Sequence, residues 1–465
     1  HRRVLLLQGP MGSFFARLAG FLGQGGARVY KVNFNGGDQL FYRAPGAINY
    51  RGSHDDWAGW LGSLLTIKRI DAIVLFGQNR PVHKVAREVA QAQGVPVYVF
   101  EEGYIRPDYV TLERGGVNGY STLPRDQAFY QACPDEPAGK PLPTGQTFWR
   151  TALVAIAYCL AMVVAQPWYR EHRYHRSMHP LRQGLCWVRS GWRKLAYGWR
   201  QRHVLEELTS PERSKRWFLL PLQVHNDSQI VHHSPFDDVH HVIRHVMTSF
   251  AQHAPADQAL VIKHDPMDRA YADYSEFIDA LAKELGLSSR VRYVHDLHLP
   301  TLLKHTRGVV TVNSTTGLQA MAHHAPVIAL GDCFYAVPGM VHAGPLSRFW
   351  TAPGEVNETL FRRFKAYLVR HTQVNASFYA RAPALDRPPL QLADGMTPDF
   401  AGSMPSQPLF GDDLLVGLRL NAEPDSTVPT ALAVVAGGAV NDAGYAPALD
   451  ALSGTTHGPS AQTRV

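Results

Sequence analysis

The chain is poor in the patterns that mark several functional classes. Its four cysteines, Cys133, Cys159, Cys186 and Cys333, lie far apart and form no CxxC or Cys/His cluster. Neither a zinc site nor a disulfide framework is indicated, and a reducing compartment fits best. Gly9-Pro10-Met11-Gly12 lacks the GxGxxG and GxxxxGK spacings, so a tight strand-to-helix turn explains it better than a dinucleotide or P-loop site. The first residues, HRRVLLLQGP, carry no long apolar h-region, and the reading is a cytoplasmic protein. Thr151 to Ala165 is almost wholly apolar but stops at Gln166-Pro167, short of the roughly 20 residues a spanning helix needs. A buried or interfacial helix is expected there.

What is present is core material. Of 465 residues 45% are hydrophobic and 18% charged, enough for two large domains at about 100–200 residues each. The 46 Lys and Arg outnumber the 39 Asp and Glu for a net charge of +7, which suits an anionic partner without pointing to nucleic acid.

Short apolar runs alternate with helical spacing. Val4 to Gln8, Phe14 to Leu22 and Arg28 to Phe34 read as β-α-β, and Asp71 to Phe76, His83 to Gln93 and Pro96 to Phe100 repeat it. The alternation resumes with strands at Phe218 to Val224, Gln258 to His264, Val291 to Val294, Gly308 to Val312 and Val327 to Leu330. The fold class is therefore α/β, with two Rossmann-like doubly wound domains facing a central cleft, the GT-B-like arrangement. The expected boundaries are 1–140 for an N-terminal Rossmann-like domain, 141–216 for a helical aromatic and basic insertion, 217–390 for a C-terminal Rossmann-like domain, and 391–465 for a flexible low-complexity tail.

Candidate chemistry collects at strand ends. Asn313-Ser314-Thr315-Thr316-Gly317 follows a strand and opens a helix, which suits either a phosphate or an ordinary N-cap. Lys263 and His264 end another strand, where they meet an anion or serve as a surface cation and a structural histidine. Glu101 and Glu102 are adjacent carboxylates at a strand end; one is a general base, or both are solvated. Asp227 is a nucleophile or the cap of a helix starting near Ser234. No Asp-rich metal motif is visible.

Eight blocks, in order, carry a resemblance over about residues 1–350: LLLQGPMGSFFARL, KVNFNGGDQLF, FGQNRP, FEEGYIRPDYVTLERGGVNG, LPLQVHNDSQI, KHDPMDRAYADY, VHDLHLPTLL and VNSTTGLQA. Together they resemble the capsule polysaccharide KpsS/KpsC family, the N-terminal blocks being closer to its KpsS branch. The resemblance implies a retaining β-Kdo transferase of Gram-negative bacteria that moves Kdo from CMP-Kdo to a (lyso)phosphatidylglycerol lipid, starting the poly-Kdo linker of a capsule. It implies CMP-Kdo as donor substrate with no cofactor and no metal, a peripheral place on the cytoplasmic face of the inner membrane, and a KpsC-like transferase and the export machinery as partners. Matching blocks put Asp227 on the family's proposed nucleophile, Glu101 and Glu102 on its Glu-Asp-Gly block, and Ser314 to Gly317 on its CMP-phosphate turn. Lys263, His264 and Asn313 join the donor side, and Gln8, Arg80, Arg106 and Gln223 are further substrate-binding candidates. The aromatic and basic insertion suits either an anionic leaflet or interdomain packing.

Two positions depart from the pattern. Glu102 replaces an Asp, and Asp265 stands where a His is expected before Pro266. An acid there repels the donor's phosphate and carboxylate unless His264 takes over. Asp265 thus favours an alternative, a noncatalytic capsule assembly or export component on the same fold, whereas the remaining acidic and hydroxyl set favours the enzyme.

Overall fold

A computed structural model describes residues 3–145, 147–171, 180–225, 227, 230 and 233–386, with backbone alone at 180–184 and 187. The apolar runs become strands because helices cover both faces of each sheet. In the first sheet β1 (Arg3–Leu6), β2 (Arg28–Asn33), β3 (Ala47–Asn49), β4 (Ala72–Phe76) and β5 (Val97–Glu102) are parallel, ordered β5-β4-β1-β2-β3. β6 (Tyr109–Arg114) adds to the β5 edge antiparallel. The second sheet is wholly parallel: β7 (Trp217–Pro221), β8 (Ala259–Lys263), β9 (Val291–Val294), β10 (Gly308–Thr311) and β11 (Val327–Ala329), ordered β11-β10-β7-β8-β9.

Both sheets share one winding. The chain builds outward from its first strand on one side and then restarts on the other. The strand order therefore reverses between β1 and β4 in the first sheet and between β7 and β10 in the second. Ligands of doubly wound sheets bind in the crevice beyond the carboxyl ends at that point.

The expected second domain, 217–390, is corrected at its far end. The helix Glu358–Thr372 leads into β12 (Gln373–Asn375), which pairs antiparallel with β6 and so rejoins the first sheet. Phe378 then packs edge-on against Phe14 and Phe76, each 4.9 Å away by ring centroid. Three-residue β12 is too short and its partner too distant in sequence for strand patterning to find it. The tail expected from residue 391 lies outside the described residues.

The insertion is likewise divided. Its first helix, Phe148–Val164, packs on the first domain, where Gly36 lies so close that a Cβ would sit 2.2 Å from the Ala161 carbonyl oxygen. Its second, Pro180–Arg200, lies on the second domain: Arg193 donates to the Arg269 carbonyl at 2.7 Å, and Tyr197 stacks on His295 at 3.6 Å. Among the described residues no helix is long and apolar enough to cross a membrane.

The domains meet through loops at the carboxyl ends of their strands. Tyr104 stacks on Phe334 at 4.0 Å, Arg125 pairs with Asp332, and His233 fills the space beside Gly119.

Candidate active site

At the first reversal point, β1 runs into Gln8 and Gly9, and β4 runs into Gly77 to Arg80. Arg80 precedes the helix Pro81–Ala92, whose proline at the first turn fixes the exit from the strand. Its guanidinium Nη1 donates to the carbonyls of Gln8 (3.3 Å) and Gly9 (3.2 Å), bridging the two strand ends. Gln8 itself is buried, with its amide near Asp38 (3.4 Å) and the Tyr158 hydroxyl (3.5 Å). As a substrate-binding candidate it is therefore corrected: its side chain belongs to the seam under the Phe148–Val164 helix.

The second reversal point is bridged in the same way. Gln223, after β7, donates from Nε2 to Asp227 Oδ2 (2.9 Å) and to Asn313 Oδ1 (3.1 Å), which follows β10. Gln223 and Asn313 are both nearly buried, and they hold Asp227 at the mouth of the crevice. Ser314 and Thr316 form a local turn, Ser314 Oγ accepting from the Thr316 amide at 3.2 Å and donating to Thr316 Oγ1 at 3.1 Å. The Gly317 amide is likewise used by the Ser314 carbonyl at 3.0 Å. Anion-binding capacity at this turn therefore lies more in the Thr hydroxyls than in those two amides, and the Ser314 hydroxyl serves an anion only by giving up Thr316. Gly317 is required by packing, since a Cβ would meet the Tyr335 hydroxyl at 2.5 Å.

Glu101 and Glu102 close β5, and Gly103 fixes them. A Cβ at Gly103 would lie 2.1 Å from the Tyr109 carbonyl oxygen, because β6 folds back directly on the turn. Burial pushes the Glu101 carboxyl up to about 7; the Glu102 amide (3.2 Å) and Arg80 oppose this, while the Glu102 and Asp227 charges add to it. Glu102, more exposed, is also raised by the burial of its carboxyl, against the pull of Arg106. Arg106 itself donates from Nε to the Gly103 carbonyl at 3.3 Å.

Lys263 and His264 do not act as a surface pair. Lys263 is buried at the end of β8, with Nζ 3.3 Å from the His264 carbonyl. Burial holds its ammonium below the usual lysine range, and Asp265 and Asp296 counter that. His264 is buried in the second domain, its Nδ1 2.6 Å from the Tyr293 hydroxyl and its ring beside Tyr274 and His295. Burial lowers its pKa, which favours the neutral ring. Asp265, next in the chain, is less buried. Its carboxyl is raised by burial, with Asp268 and Asp227 adding to the rise, while the Met267 amide (2.7 Å) and Lys263 oppose it.

One pair escaped the sequence reading. Fully buried Asp268 accepts the His225 amide at 3.0 Å and pairs with His225 Nδ1, leaving that imidazole half-exposed two residues before Asp227. The only sequence signal is the polar run around His225 and a second Asp three positions after Asp265. Neither discloses a contact 43 residues apart. Among the described residues no three His, Cys, Asp or Glu side chains are grouped to hold a metal.

The chain is similar to known proteins over most of this architecture. A family model described as capsule polysaccharide biosynthesis protein matches residues 71–379. The capsule polysaccharide export protein KpsS of Escherichia coli is 42% identical over 382 residues, covering 81% of this chain and 97% of KpsS. The capsule polysaccharide modification protein LipB of Neisseria meningitidis serogroup B is 37% identical over 385 residues, covering 81% of this chain and 92% of LipB. Among solved structures, the KpsC β-Kdo 2,7 transferase of Thermosulfurimonas dismutans matches with a TM-score of 0.38 and 15% identity, covering 82% of this chain and 95% of that one.

Proposed function

The chain belongs to the capsule polysaccharide biosynthesis family, and from that premise we propose that it is a retaining glycosyltransferase that moves Kdo from CMP-Kdo to a (lyso)phosphatidylglycerol lipid. The product would begin the poly-Kdo linker of a capsule. The observation that carries the reading is a pair of carboxylates at strand ends of the two domains: Asp227, held by Gln223 at 2.9 Å just past β7, and Glu101 at the carboxyl end of β5.

Two displacements account for retention. The Asp227 carboxylate attacks the anomeric carbon of Kdo, the bond to the phosphate oxygen breaks, and CMP departs with the electron pair. An acceptor hydroxyl then attacks the same carbon, Glu101 takes its proton, and the bond to Asp227 breaks. Glu101 suits that role because a base with a pKa near the working pH is both available and effective. Glu102 with Arg106 borders the acceptor, and Arg80 faces the same crevice. Lys263, Asn313 and the hydroxyls of Ser314, Thr315 and Thr316 serve the donor's phosphate and carboxylate. No metal is assigned. The lipid acceptor places the protein at the cytoplasmic face of the inner membrane, beside a KpsC-like transferase that extends the product and the machinery that exports it.

Asp265 favours a second reading, a noncatalytic assembly or export component, because an acid in the position after Lys263 and His264 repels an anionic donor when ionised. A mass-spectrometric assay with freshly generated CMP-Kdo and a fluorescent lysophosphatidylglycerol, run beside Asp227→Ala, separates the two. Product from the unaltered chain alone supports the transferase. Absence of both product and CMP binding replaces it with the assembly component.

A further inference from the structure

Along the Phe148–Val164 helix, Trp149, Leu153, Ile156, Leu160 and Val163 recur every three or four residues and are 40% to 76% exposed. The opposite face cannot be exchanged for this one: Tyr158 is buried there, donating to Asp38 Oδ1 at 2.8 Å and accepting from Asn35 at 2.9 Å. The Pro180–Arg200 helix repeats the pattern. Leu185, Val188, Trp192, Leu195 and Trp199 follow the same spacing and are 66% to 76% exposed. On its inner side Arg193 and Tyr197 bond Asp273 and the loop around Arg269.

A helix on a globular domain ordinarily turns its apolar stripe inward and its polar face out. The second helix does the reverse, and the first, apolar on nearly every side, leaves a whole stripe uncovered; exposed apolar surface on that scale marks contact with another body. One helix is fixed to the first domain and the other to the second. The first lies over the loop after β2, and the second over the loops after β8 and β9. Both therefore stand beside the strand ends that carry the candidate active site.

Charge selects the occupant. From Phe148 to Arg202 the sequence holds ten Arg and Lys and one acid, Glu171. A second copy docked by two-fold symmetry would set these cations against themselves. An anionic leaflet complements them, and Trp suits the boundary between headgroup and acyl chain.

We propose that the chain docks on an anionic lipid bilayer through these two stripes together, one from each domain. The inference rests on the lipid-acceptor reading for setting the bilayer beside the cleft, and it adds that the leaflet contacts both domains at once. Contact at both stripes limits how far the domains separate while the protein is bound.

The test is co-sedimentation of the full chain with phosphatidylglycerol/phosphatidylethanolamine vesicles and with phosphatidylcholine vesicles. It needs neither donor nor turnover, so a failed transferase reading leaves its outcome intact. Leu153→Gln with Leu160→Gln alters one stripe and Leu185→Gln with Leu195→Gln the other; these sites are exposed, and circular dichroism checks the fold. Binding to the anionic vesicles is expected, about tenfold or more weaker for either pair and for Arg189→Gln with Lys194→Gln and Arg200→Gln. Equal binding to phosphatidylcholine, or one stripe pair without effect, overturns the proposal. So does a dimer that dissociates on stripe substitution without vesicle binding, which assigns the stripes to a second copy. A carbodiimide cross-link from Lys194 to a carboxylate beyond residue 386, again without vesicle binding, assigns them to the chain's own end and also overturns it.

Discussion

The carboxylates are individually tuned by what surrounds them. On the proposed mechanism Asp227→Asn keeps the hydrogen-bonding shape beside Gln223 but cannot form the sugar adduct, and transfer is expected to fall by about a thousandfold or more with folding unchanged, as read by mass spectrometry and circular dichroism. Gln223→Leu leaves Asp227 without its 2.9 Å donor, and kcat is expected to drop on the order of a hundredfold through misplacement alone. Burial pushes the Glu101 carboxyl up to about 7 from an ordinary 4.5, so on the proposed mechanism it must lose its proton to act as a base, and kcat should rise through pH 7. Stability should move the other way. The folded chain holds this proton more tightly than the unfolded chain, so its contribution is fully present below pH 4.5 and lost as pH rises to about 7. Glu101→Gln should therefore gain in melting temperature relative to the unaltered chain above pH 7. An unchanged difference between pH 4 and pH 8 would contradict the assignment. At this scale the sequence was partly legible: strand-end carboxylates show directly, whereas the burial of His264 and the pairing of His225 with Asp268 depend on neighbours many residues away.

At the scale of elements, parallel strands were the most readable parts, because burial on both faces writes them as continuous apolar runs. The central strands fall where those runs do, and the expected strand Val291–Val294 is β9, although at the sheet edge it is only partly buried. β3 and β6 were missed: β3 has three residues, and β6 mixes Thr111 and Glu113 into its interior positions. Glu113 is satisfied there by the Tyr104 hydroxyl at 2.6 Å, a bond that no strand pattern announces. The turn from β5 to β6 is where element geometry meets the site. Gly103→Ala forces a Cβ onto the Tyr109 carbonyl, and we expect a loss of about 1–3 kcal/mol in urea unfolding, with activity falling further than stability because Glu101 and Glu102 shift with the turn. Equal activity in the variant would show that the carboxylates are positioned from elsewhere.

At the scale of the molecule, the two windings were legible as repeated alternation, but their closure was not. The first domain is completed by residues more than 350 positions after its first strand: β12, Phe378 and the Arg17 to Asp386 pair at 2.7 Å. Phe378→Ala should cost about 3–5 kcal/mol and should loosen the first domain, as read by hydrogen exchange in β1 and β5, although the residue follows the second domain in sequence. Protection lost only in the second sheet would refute that placement. The return of the chain also orders its birth on the ribosome. Synthesis proceeds from the amino end, so the second sheet is made in full before the segment that seals the first one emerges. The earlier half therefore finishes last, and during that interval Phe14 and Phe100 are without the ring of Phe378 that later covers them.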